Sequence, residues 1–72
     1  MKKFVYQVGG FEYIDTEAFG TGWKTAKAEA ARLHAAVYRL VIKGETVKQE
    51  VFTNSGCFLS VAQAKPEQIN IF

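Results

Sequence analysis

Apolar and polar positions alternate along Lys3–Val8 and again from Phe11 to Asp15, with Gly9 and Gly10 between the two runs. A period of two marks a strand, and a Gly-Gly pair between two such runs marks a two-residue hairpin loop. With Gly9 and Gly10 at the tip, Val8 faces Phe11, Tyr6 faces Tyr13 and Val5 faces Ile14. Phe4, Tyr6, Val8, Phe11 and Tyr13 then share an apolar face, and Val5, Gln7, Glu12 and Ile14 share a more polar one. Pattern and register agree with one another.

The period changes after Gly20 and Gly22. Trp23, Ala26, Ala30 and Leu33 recur at steps of three and four, the apolar stripe of a helix. Alanine supplies strong helix propensity. Thr21 and Thr25 are candidate caps, but neither has Glu or Gln three positions on, so no capping box marks the start. Lys24, Lys27 and Arg32 line the polar side.

A second hairpin follows in Tyr38–Val51. Gly44-Glu45 has the chemistry of a type II′ loop. Lys43 then pairs with Thr46, Ile42 with Val47, Leu40 with Gln49 and Tyr38 with Val51, a set expected to form one mainly apolar core face. Arg39 opposite Glu50 and Val41 opposite Lys48 are expected on the other, wetter face. An opposite-charge cross-strand pair is worth ~0.2–1 kcal/mol. Asn54, Ser55 and Gly56 supply another turn, which sets Thr53 against Cys57, Phe52 against Phe58, Val51 against Leu59 and Gln49 against Val61. Parity puts Phe52 and Phe58 with Arg39, Val41, Lys48 and Glu50. Pro66 interrupts the tail, and Ile69–Phe72 reads as a short edge strand or as a tail that docks on a partner.

The expected architecture is one α+β domain over residues 1–72. An antiparallel sheet of four to six short strands carries one alanine-rich helix on one face, in the order β-β-α-β-β-β. Seventy-two residues allow one domain, and a chain this short is marginally stable without help from disulfides, metals or partners. A hydrophobic content of 49% argues against disorder. The single cysteine, Cys57, precludes an internal disulfide, and one Cys with one His falls short of a structural zinc site. No apolar run approaches the ~20 residues of a membrane span, and the N-terminal residues lack the apolar stretch of a secretory signal. The reading is cytoplasmic, with Cys57 reduced, no cofactor and no membrane association.

Catalytic chemistry finds little to work with. Cys57 and His34 are the one candidate nucleophile–base pair. Free cysteine is commonly a small buried hydrophobe, and Cys57 is expected to project toward the core. A histidine at a helix end suits the terminal carbonyls. Glu12, Asp15 and Glu17 form no acid–base constellation, and Asp15 suits a turn. Gly20 and Gly22 before the helix offer free N–H groups to a phosphate, but their spacing fits neither the P-loop nor the dinucleotide fingerprint.

Two functional readings remain. The preferred one is a non-enzymatic protein-interaction or assembly module, with a homodimer among its forms, acting through an exposed sheet face or edge. On this reading Phe52, Phe58, Arg39, Val41 and Lys48 contact the partner, the aromatics as anchors and the charges for orientation. The alternative is a nucleic-acid-binding domain that uses Lys24, Lys27 and Arg32 on the helix and the sheet aromatics as a stacking platform. Lys2, Lys3, Lys43 and Lys48 add to its positive charge, yet the net charge is +2 and Glu29, Glu45 and Glu50 dilute the field. No motif is specific enough to name a family.

Overall fold

A computed structural model describes residues 2–72. Its elements are β1 (Lys2–Val8), β2 (Phe11–Asp15), α1 (Thr21–Leu33), β3 (Tyr38–Lys43), β4 (Thr46–Phe52), β5 (Phe58–Ser60) and a 3-10 turn over Pro66–Gln68. The five strands form one antiparallel sheet in the order β2-β1-β3-β4-β5, and the helix intervenes between β2 and β3. This is the expected α+β fold.

Turn chemistry explains each hairpin. Gly9 and Gly10 both sit at positive φ, 52° and 96°, as a type I′ loop demands of its two central residues. Gly44, at φ 58°, takes the left-handed position in the β3–β4 loop. The resulting registers are those the loops imply. Val8 pairs with Phe11 and Tyr6 with Tyr13; Leu40 pairs with Gln49 and Arg39 with Glu50; Phe52 pairs with Phe58. The Thr53 N–H donates to the Cys57 carbonyl at 2.9 Å, and the Val61 N–H to the Gln49 carbonyl at 3.1 Å, which carries the β4–β5 ladder past both ends of β5.

The helix is anchored from a distance. Gly20 is its N-cap and supplies no side chain. Instead the buried carboxylate of Asp15, at the end of β2, accepts the Gly22 N–H at 2.7 Å and the Trp23 N–H at 3.0 Å. A negative charge at a helix N-terminus also complements the macrodipole. The glycines exist to let this happen: a Cβ on Gly22 would lie 2.9 Å from Asp15 Oδ1, and one on Gly20 3.0 Å from Asp15 Cγ. At the other end His34 ends the helix at φ 52°, and its backbone N–H bonds the carbonyls of the last turn.

The helix does not cover the expected side of the second hairpin. β1 and β3 pair with Phe4 opposite Val41 and Tyr6 opposite Arg39. This register aligns Arg39, Val41, Phe52 and Phe58 with Phe4, Tyr6 and Val8, and the helix packs over that common face. Trp23 is the hub, with ring centroids 4.8 Å from Phe52, 5.4 Å from Phe58 and 5.6 Å from Tyr6. Ala26 and Ala30 let the helix approach closely, and both are fully buried. Lys43 and Thr46 also fall on the helix side by parity. The expectation that the two phenylalanines point away from the helix is therefore overturned.

The tail docks on its own domain rather than forming a sheet edge. Ile69 bridges Thr53, and the Asn70 N–H donates to the Phe52 carbonyl at 3.0 Å. The Phe72 N–H donates to the Ala35 carbonyl at 3.1 Å, and the Phe72 ring stacks 5.6 Å from Phe52.

Candidate functional site

The five residues expected to bind a partner do come together, on the helix-covered face. Phe52 and Phe58 are half-buried beneath Trp23, with ring centroids 5.1 Å apart. Arg39 is only 9% exposed. Its guanidinium carbon lies 3.9 Å from the Phe58 ring centroid and 5.2 Å from that of Phe4. Its Nε and Nη2 donate to Glu50 Oε1 at 2.9 and 2.6 Å. An ion pair that reads as a solvent marker in the sequence is thus inside. Aromatic faces and a paired carboxylate make a guanidinium tolerable there. Val41 and Lys48 face each other across β3 and β4.

The nucleic-acid residues lie apart from any stacking platform. Lys24 and Lys27 are exposed on α1, and Lys27 Nζ sits 5.6 Å from the Trp23 ring centroid. Arg32 is engaged with Glu29 on the same helix, and this pairing raises the Arg32 pKa while lowering that of Glu29. The rings of Phe52 and Phe58, proposed as stacking surfaces, are occupied by Trp23.

Cys57 is exposed rather than buried. Its Sγ lies 3.2 Å from Ser55 Oγ and 3.8 Å from Thr53 Oγ1, and these hydroxyls, Ser55 first, hold its pKa below the ordinary thiol value against a small opposing effect of desolvation. His34 takes no part in these contacts. The helix N-terminus, considered above as a phosphate site, is occupied by Asp15. Among the described residues no group of three His, Cys, Asp or Glu side chains converges as metal ligands, and no helix is long and apolar enough to cross a membrane.

What remains is the opposite face of the sheet. By parity it carries Val5 from β1, Ile14 from β2, Tyr38, Leu40 and Ile42 from β3, Val47 and Val51 from β4, and Leu59 from β5. Val61 continues the last strand onto the same face. The helix lies on the other side. Ile14 and Val47 are each 60% exposed and Val61 38%, whereas Val5 and Val51, at 7% and 1%, are already covered. One row crosses the sheet through Ile14, Val5, Leu40, Gln49 and Val61. Lys3 lies on one side of that row. Gln7 and Glu12 lie on the other, joined by a hydrogen bond from Gln7 Nε2 to Glu12 Oε2 at 3.0 Å. This face is the strongest interaction surface; sequence reading assigned Tyr38, Leu40, Ile42, Val47 and Val51 to the core, and Val5 and Ile14 to a more polar face. The missing signal was long-range: the β1–β3 register, which no local motif encodes.

No protein-family model, no curated protein and no solved structure matches this chain.

Proposed function

We propose that the chain is a small non-enzymatic assembly module that self-associates by stacking the open faces of two sheets. The observation that carries this is the apolar band of Ile14, Leu40, Ile42, Val47 and Val61 on a face the helix leaves bare. Val5 and Val51 on this face are already buried, so the contact area is smaller than the whole sheet and belongs with the small, weaker interfaces. A domain of 72 residues also gains stability from such a partner.

The pattern is self-complementary. A twofold axis along the Ile14–Val5–Leu40–Gln49–Val61 row places Ile42 of one copy over Tyr38 of the other and sets Ile14, Leu40 and Val61 against their own copies. The same operation brings Lys3 over the partner's Gln7 corner, beside Glu12, so two symmetric charge pairs form at the rim. A symmetric interface needs such matching of a patch to itself. The exposed single thiol of Cys57 agrees with a reducing compartment such as the cytoplasm.

Sedimentation equilibrium tests this directly. The wild-type chain is expected to dimerise at micromolar concentration, and Val47→Lys to sediment as a monomer with an unchanged circular dichroism spectrum. A wild-type monomer at high micromolar concentration would overturn the proposal. The nucleic-acid reading has less support, because its aromatic platform lies beneath Trp23.

A further inference from the structure

A second feature lies on the helix side, where α1 does not reach the ends of the strands. There a groove of about 260 Å³ is lined by Lys2, Phe4, Val41, Lys43, Thr46 and Lys48, and the Arg39–Glu50 pair closes one end. We infer that this groove binds a small phosphate-bearing anion of the organic di- or triphosphate class.

Three observations support it. First, Lys2 and Lys43 are direct partners across β1 and β3, and Lys48 lies on the same face opposite Val41. Like charges directly opposite each other destabilise a sheet, so an anion between them removes a defect. Second, none of the three ammonium groups has a carboxylate partner among the described residues; the ion pairs there are Arg32–Glu29 and Arg39–Glu50. Glu50, the one carboxylate in the groove wall, is already engaged by Arg39. Third, the Arg39 side chain lines the inner end of the groove, where Glu50 holds it in place; its unpartnered Nη1 is buried away from the groove surface.

The ligand class follows from the donor set. Three lysines exceed what one carboxylate requires and suit several phosphoryl oxygens, and the Thr46 hydroxyl adds a neutral donor. Phe4 and Val41 provide an apolar floor for the organic part. The volume suits a small molecule more than a polymer chain.

Amide chemical-shift titrations at fixed ionic strength test this with three probes: inorganic pyrophosphate, adenosine triphosphate and a short oligothymidylate. The expected result is saturable shifts confined to Lys2, Lys43, Thr46 and Lys48 with both small phosphates. Lys43→Thr and Lys48→Gln should each weaken binding about tenfold, the loss of one charge-assisted contact. Lys43→Thr should also raise the melting temperature of the free protein, which shows that the variant is folded. Three outcomes would overturn the inference: no localised shifts at millimolar pyrophosphate, affinities unchanged in both variants, or shifts with the oligonucleotide alone.

Discussion

The indole ring of Trp23 lies 4.8 Å from the phenyl ring of Phe52, which places the second hairpin's aromatic face against the helix. Phe52 also contacts the rings of Phe58 and Phe72. Phe52→Ala is therefore expected to lose about 3 kcal/mol of stability, as large-to-small changes in an aromatic cluster do. Urea denaturation measures this. A variant of full stability with weakened self-association would instead return Phe52 to the interaction surface.

Asp15 holds the helix from outside it. Removing a carboxylate that accepts two backbone N–H bonds at a helix N-terminus costs about 2 kcal/mol, so Asp15→Ala should be destabilised by that amount. Gly22→Ala should be destabilised in the native background, because its Cβ would meet Asp15 Oδ1 at 2.9 Å. In the Asp15→Ala background the same change should cost less, since the clash is gone. A double-mutant cycle of thermal melts reads this coupling.

The open face makes a charge prediction of its own. Lys3→Glu is expected to weaken dimerisation by setting like charges against the partner's Glu12. Adding Glu12→Lys should restore it, because both rim pairs are then reversed. Light scattering across a concentration series measures the two steps. Exposed rim pairs contribute little each, so the effect on association should be several-fold rather than total, and should shrink with added salt.

Cys57 is expected to react with a thiol reagent in the native state, since it is exposed. Hydrogen bonds from the Ser55 and Thr53 hydroxyls favour its thiolate. The rate–pH midpoint should lie below that of the unfolded chain and move upward in Ser55→Ala. The sign follows for stability. A folded-state pKa lowered in this way contributes stability that is fully present above the unfolded pKa and lost as pH falls through the folded one.

Much of the local architecture is legible in the residues. Gly9-Gly10, Gly44-Glu45 and Asn54-Ser55-Gly56 specify three turns, and period-two parity then specifies every cross-strand pair within the hairpins. The stripe of Trp23, Ala26 and Ala30 marks the buried side of the helix, while Leu33 emerges toward the Gly9 turn and stays partly exposed. These features are short-range, and backbone sterics at a few glycines decide them. Arg39 misled because a charged residue in a strand normally marks water. Only the stacking of its guanidinium on Phe58 and its bond to Glu50 reveal a buried role.

The chain by itself determined which strands pair as hairpins, with what register, and which segment is helical. Tertiary structure alone decided which face of the second hairpin the helix covers, how Asp15 reaches the helix start, and how Lys2 comes to oppose Lys43. The first and last depend on β1 pairing with β3, between segments more than thirty residues apart, whereas Asp15 meets helix residues only seven and eight positions on. Local turn chemistry cannot choose between the two sides of a sheet. Packing Trp23 among Tyr6, Phe52 and Phe58, and removing their apolar surface from water together, makes that choice.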